Sequence, residues 1–308
     1  MNTTASSLSL GAWIGIWIKA ARAPFLVTSA LPAILGGIIA YSHNSFDWTT
    51  FLLAFFGIVM AHTAADFIDD YFDYKNGNFA NKDQQFHDSP LVRGVITAEQ
   101  VMIAFLLCMA LALAAGVYLL MHVGTPVLIL TAIGAFIVLF YTSPPIRLNF
   151  RGLGETSLFL AFGPMTVFSV YYVLTQSFDW APILAAVPVG IFVMNVGIVS
   201  NTFDHDDDVR NRKFTMPVKL GQATAVKVLT GVTVFAYLFL ALCIAFGLLP
   251  VWCSLAFVTL PMSLKMLKLV RQYKDLSQYQ PAMSQAIGVV TLGCLTMIIG
   301  YAIAIIIQ

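Results

Sequence analysis

The sequence predicts an all-α protein that crosses a membrane many times. Three observations predict it. Of 308 residues, 59% are hydrophobic and only 10% are charged, against about 25% charged in ordinary soluble domains. Apolar windows near or above the ~20 residues that a helix needs to span a bilayer recur along the whole chain. The remaining charges collect in a few short connections. A single transmembrane domain over 1–308 is expected, with 1–23 as an N-terminal tail and interfacial segment.

The elements follow in order. Residues 1–10 are polar, without the basic start and cleavage site of a removable signal peptide. "WIGIWIKAARAPF" (13–25) reads as an interfacial segment, with tryptophans at the boundary and Lys19 and Arg22 on its polar side. Nine spans follow, at about 24–42, 49–68, 99–121, 125–143, 156–175, 182–203, 224–247, 250–268 and 285–307. Pro144–Pro145 should break the fourth. Cys108, Cys243, Cys253 and Cys294 lie inside spans without CxxC spacing and read as small buried hydrophobes.

Charge tests the count. With nine spans, one set of connections (43–48, 122–124, 176–181, 248–249 and the C-terminus) contains no Lys or Arg. The other set (the N-terminus, 69–98, 144–155, 204–223 and 269–284), with adjoining span ends, holds all sixteen. By the positive-inside rule the second side is cytoplasmic. The N-terminus is then inside and the C-terminus on the opposite side, as expected for a multi-pass protein of a cell inner membrane. A net charge of +1 gives no argument for nucleic acid.

Thirteen of the fifteen carboxylates fall on that same side. "DFIDDYFD" (66–73) ends the second span, with Asp66, Asp69 and Asp73 at i, i+3, i+7 and Asp70 beside them. "SNTFDHDDDVRNRKFT" (200–215) ends the sixth, where Asn201, Asp204 and Asp208 repeat that spacing 135 residues later. On a helix each set shares one face. Such acids repel, are poorly solvated near the membrane boundary, and oppose the helix dipole. One cluster alone would pass for a solvated loop; two with matched spacing call for something positive. His62, His87 and His205 lack matching thiolates, so zinc does not fit. Oxygen-only ligands suit Mg²⁺ or Ca²⁺. Mg²⁺ usually binds a few carboxylates plus substrate phosphates, which suits two incomplete clusters facing a shared ligand. Asp206 and Asp207 point elsewhere on the helix.

Nearby cations suit a diphosphate. "SPLVRGVIT" (89–97) supplies Arg93, "YTSPPIRLNFRGLGE" (141–155) supplies Arg147 and Arg151, and "RNRKFT" supplies Arg210, Arg212 and Lys213. Each also serves positive-inside topology and lipid headgroup contact. Tyr141 can donate a hydrogen bond to a leaving group or sit in an aromatic belt. Asn201 is in register with its cluster, whereas Asn195 can bridge helices.

"DDYFD" matches the DDxxD pattern of prenyl-diphosphate enzymes. Together with "AARAPFLVTSALPAILGG" (20–37), "PL..G.IT" (90–97) and Lys213-x-Thr215, in that family's order, the chain resembles the UbiA superfamily of intramembrane aromatic prenyltransferases over about two thirds of its length. "RGLGE" followed by "FGP" (162–164) resembles the menaquinone branch, which prenylates 1,4-dihydroxy-2-naphthoate. Phe150 replaces that branch's usual Tyr, Asp66 and Asp69 stand where Asn is common, and Asn149 stands where other branches often carry Lys.

The resemblance implies nine helices around a central cavity open to the cytoplasmic side. It implies Mg²⁺ as cofactor, with a polyprenyl diphosphate, an aromatic acceptor and membrane lipids as partners. Carried onto this chain, Asp70, Asp73, Asp204 and Asp208 are the catalytic acids, and with Asp66 and Asp69 they hold metal. Arg93, Tyr141, Arg147, Asn201 and Lys213 bind substrate, and Phe67, Tyr71 or Phe162 can stabilise a carbocation. The acceptor could instead be 4-hydroxybenzoate, homogentisate or a lipid alcohol. A cation-coupled transporter, the competing class, also carries intramembrane acids and repeats, but here the acids sit at one membrane face.

Overall fold

The computed structural model describes residues 9–77 and 89–307, and among these it contains helices and no strand. His87, noted above, lies outside the described residues. Helix α1 covers Leu10–Ala20, α2 Val27–Ser42, α3 Trp48–Lys75, α4 Ala98–Val123 and α5 Thr125–Phe140. Next come α6 over Gly154–Thr175 and α7 over Ala181–Phe203. Two short helices, α8 (His205–Arg210) and α9 (Met216–Leu220), precede α10 (Gln222–Ala245). The chain ends with α11 over Val251–Val270 and α12 over Tyr279–Ile307.

Among the described residues, eight helices are long and apolar enough to cross a bilayer: α2 with its lead-in turn, α3, α4, α6, α7, α10, α11 and α12. The fourth expected span, 125–143, is the exception. As α5 it has 16 residues, about 24 Å at 1.5 Å per residue, short of the ~30 Å hydrocarbon core. It stops at Phe140, and Tyr141–Ser143 turn out of the helix ahead of Pro144, which disfavours helical backbone at the residue before it. Conversely, α3 runs seven residues past its expected end, so all of "DFIDDYFD" is helical.

Local chemistry explains the starts. The Asp47 carboxylate accepts from the Thr50 amide at 2.7 Å and caps α3. Thr97 and Gln100 form a reciprocal capping box on α4, with bonds of 2.8 and 3.2 Å. Helix α1 is amphipathic: Leu10, Trp13, Ile14 and Ile18 are exposed, while Ala20 is buried. Its inner face rests on α3, where the Trp17 ring meets Phe67 at 6.0 Å. The first acidic helix is thereby tied to the interfacial segment.

Helix α7 is the central post, with 67% of its apolar window buried against 22–50% for the others. It crosses α6 at two glycines: a Cβ on Gly163 would lie 2.6 Å from the Gly190 Cα. Only small residues let helix backbones approach so closely, and such contacts carry packing in a membrane. The same stretch of α6 is a π-turn, Ala161–Met165, around Pro164. Thr166 donates its hydroxyl to the Ala161 carbonyl at 2.7 Å there, a local repair of the kind proline demands within a bilayer. Asn195 donates to Thr233 Oγ1 at 2.9 Å, bridging α7 to α10.

Candidate active site

The helices enclose a cavity of about 890 Å³. The four acids of α3 (Asp66, Asp69, Asp70 and Asp73) line it, and so do Asn201 and Asp204 from α7 and its C-cap. The two rows of the sequence therefore share one cavity. Lys213, Tyr141 and Asn149 line it as well. Asp208 is not in the lining but is buried beside it.

Lys213 joins the rows. It follows α8, is 6% exposed, and its Nζ is 3.9 Å from Asp208 Oδ1. Burial alone would push its pKa down. The charges of Asp73 and Asp69 from the first row, and of Asp208 and Asp204 from the second, more than reverse this and push it up. The ammonium thus stays charged at neutral pH. Thr215 donates to Asp208 Oδ2 at 3.1 Å, so Lys213-x-Thr215 orients the last acid of the second row. The Phe150 ring lies under both cations, 5.2 Å from the Arg147 guanidinium carbon and 5.9 Å from Lys213 Nζ, a cation–π arrangement that needs no phenol hydroxyl.

Arg22 is the functional group that sequence reading missed; its place just before the first span was read as interfacial. The chain turns there through a left-handed backbone conformation, φ 47°, between α1 and α2. This aims the guanidinium at the first row. Nη2 donates to Asp70 Oδ1, and Nη1 is 3.7 Å from Asp69 Oδ2. Burial would push Arg22 down, but Asp70, Asp66, Asp69 and Asp73 together push it above its ordinary value. Thr142 donates to Asp69 Oδ1 from the turn after α5.

Glu155 went equally unassigned. It is buried, and its Oε1 accepts from Asn201 Nδ2 at 2.9 Å and from the Met216 amide at 3.3 Å. The "GLGE" turn thereby fixes Asn201, with its amide nitrogen held away from the cavity. The one available signal was an acid in a glycine-bounded turn next to a basic loop.

Other expected residues lie apart. Arg93 is exposed, and neither it nor Arg147 lines the cavity. Of the three aromatics considered for a carbocation, Phe162 lines the cavity and Phe67 and Tyr71 do not. Asp206 contacts His205 at 2.8 Å and Asp207 pairs with Arg210, both away from the cavity. Among the described residues, no three His, Cys, Asp or Glu side chains converge tightly enough to hold a metal by themselves.

A helical membrane protein with opposed carboxylate rows, a buried lysine between them, a half-buried arginine beside them, and a largely apolar cavity is built to hold a charged head on a long hydrocarbon. Residues 29–287 match the model of the UbiA prenyltransferase family, and the chain belongs to it. It is therefore an enzyme, a prenyltransferase, and not a cation-coupled transporter.

The chain is 27% identical over 270 residues to a 2-carboxy-1,4-naphthoquinone phytyltransferase of Synechocystis sp., covering 84% of each chain. It is 28% identical over 272 residues to a 1,4-dihydroxy-2-naphthoate octaprenyltransferase of Mycobacterium leprae, covering 83% of this chain and 85% of the other. Its fold resembles that of a UbiA homolog from Archaeoglobus fulgidus solved with DMAPP and Mg²⁺, with a TM-score of 0.59 and 15% identity over 93% of this chain and 99% of that one.

Proposed function

We propose that this protein transfers a polyprenyl group from a polyprenyl diphosphate to an aromatic acceptor, 1,4-dihydroxy-2-naphthoate, with Mg²⁺ as cofactor. One observation carries the reading: a buried, charged lysine between two carboxylate rows on a single cavity. The naphthoate acceptor is supported by the names of the relatives above. Magnesium is supported by the donor set, which is all oxygen, in a family with members solved with DMAPP or GPP and Mg²⁺. Rows too open to hold a metal alone suit an ion that keeps waters and completes its shell with substrate phosphates.

Asp69, Asp70 and Asp73 on one side, and Asp204 and Asp208 on the other, would hold the metal, with Asp66 a turn deeper. Bound there, it supplies charge neutralisation for the departing diphosphate. Lys213 and Arg22 add fixed positive charge at the same end, arranged before reaction. The bond from the allylic carbon to the diphosphate oxygen breaks, and its electron pair leaves with the diphosphate. The Phe162 face shelters the resulting positive carbon. A π pair of the acceptor ring forms the new carbon–carbon bond. The ring then loses a proton, or its carboxylate as CO₂, and the electron pair of the broken bond restores its aromatic π system. Apolar walls keep water from the cation. Tyr141, Asn201 and Asn149 line the cavity and would position the two substrates.

We further propose that α5 crosses as the ninth span. This keeps all sixteen Lys and Arg on one side, opens the cavity to the cytoplasm and puts the C-terminus opposite, in a cell inner membrane. The test of function is incubation of purified protein with Mg²⁺, a polyprenyl diphosphate and a panel of aromatic acceptors, followed by mass analysis. A prenylated naphthoate product supports the reading; transfer confined to another acceptor overturns the naphthoate assignment.

Two outcomes follow from the walls. From Asp70 the lining runs down α3 to Leu53, a drop of roughly 25 Å at 1.5 Å per residue, where the donor's tail would lie. Gly134 lines this part, and a Cβ there meets nothing within 4 Å. Gly134→Phe should fill the space and lower kcat/KM for long donors at least about tenfold relative to dimethylallyl diphosphate, measured in parallel assays. Glu155→Ala should free Asn201 and lower kcat/KM about tenfold. Glu155→Gln should recover much of it, since its amide oxygen still accepts.

A further inference from the structure

His62 lines the cavity one turn deeper than Asp66 and has no part in the scheme above. Its neighbours decide how its ring nitrogens are used. The Ser29 hydroxyl donates its one proton to the Leu26 carbonyl at 3.0 Å. Toward His62 Nδ1, 2.9 Å away, the Ser29 oxygen therefore accepts, and Nδ1 carries the hydrogen. A neutral ring so held leaves Nε2 with its lone pair.

Nε2 faces Asp66 Oδ2 at 3.7 Å, beyond hydrogen-bond range. That oxygen is buried without a hydrogen-bond partner, which is costly, and the Nε2 lone pair looks onto the same space. Phe162 bounds this space, its ring edge-on to His62 with centroids 4.6 Å apart. A flat ring carrying an O–H fits both features: its single proton is donated to one of the two lone pairs or shared between them, and the ring packs against Phe162.

We propose that His62 Nε2 and Asp66 Oδ2 together receive a hydroxyl of a phenol-type acceptor and so hold its reacting carbon toward the prenyl group. The inference rests on the reading of this cavity as the transfer site. It gives His62 a substrate contact, and it leaves Asp66 Oδ1 free for the row above.

The experiment compares 1,4-dihydroxy-2-naphthoate with its two mono-O-methyl ethers, in wild type, His62→Phe and His62→Gln, using full-length protein with Mg²⁺ and one polyprenyl diphosphate. Blocking the bonded hydroxyl should raise the wild-type acceptor KM about tenfold for one of the two ethers, the loss of one buried hydrogen bond. His62→Phe should raise the KM of the free diol by a similar factor, leave the donor KM within about twofold, and be insensitive to methylation. His62→Gln, which keeps an acceptor atom, should fall between. Equal methylation penalties in wild type and His62→Phe overturn this inference alone and give the space to a bound water. No transfer by the wild type to any hydroxylated ring overturns the reading of the cavity, and this inference with it.

Discussion

Asp70→Ala should leave a folded, inserted protein whose prenyl-transfer rate at saturating Mg²⁺ has fallen about a thousandfold or more, the scale of losing a group that stabilises developing charge. Asp70 is 7% exposed and sits in the middle of the first row, bonded to Arg22. Its removal does not empty the neighbourhood of charge, since Arg22 keeps Asp69 at 3.7 Å. It also relieves repulsion among four acids, so the fold should tolerate the change. Asp208→Ala should behave alike from the other row, with Thr215 losing its carboxylate partner. Single-turnover rates beside a monodispersity and melting check decide the matter. Turnover within tenfold of wild type for either variant sinks the metal-holding role of that row.

Lys213→Ala should damage both activity and stability. In the wild type one buried ammonium faces Asp73, Asp69, Asp208 and Asp204. Without it those carboxylates keep their burial and lose their shared counter-charge, a loss on the scale of roughly 3 kcal/mol when a buried charge is left unpaired. A drop of several degrees in the melting midpoint in detergent is expected, together with a rise in donor KM of at least about tenfold. Lys213→Arg should restore much of the stability, because the charge returns, and less of the turnover, because the planar fork does not replace a point charge in a closed space. An alanine variant with unchanged melting and unchanged donor KM would remove Lys213 from the centre of the site.

Much of this site was legible before the fold. The spacing of Asp66, Asp69 and Asp73, repeated by Asn201, Asp204 and Asp208, is a helical period; the first row runs along α3, whereas the second breaks at Asp204, the C-cap of α7, and ends on α8. Arg22, Glu155 and His62 were not legible, for a common reason. Each acts on a partner far along the chain: Arg22 on Asp70, Glu155 on Asn201, and His62 on Ser29. No local pattern marks such pairs, because what creates them is where two helices meet. Arg93 illustrates the converse. A basic residue in a suggestive motif ended exposed, since motif order carries no information about which way a turn faces.

Hydropathy and the one-sided placement of Lys and Arg were sufficient for the class, a polytopic helical membrane protein, because the bilayer imposes length and charge rules on each segment separately. They were sufficient for the first row, which rests on periodicity within one helix, and they located the second, whose break between α7 and α8 they did not show. Closing the rows into one cavity, threading Lys213 between them and shortening the fourth span to 16 residues were decided by tertiary packing. Those features depend on distances between segments remote in sequence, set by contacts such as the Gly163–Gly190 crossing, and no segment carries them alone.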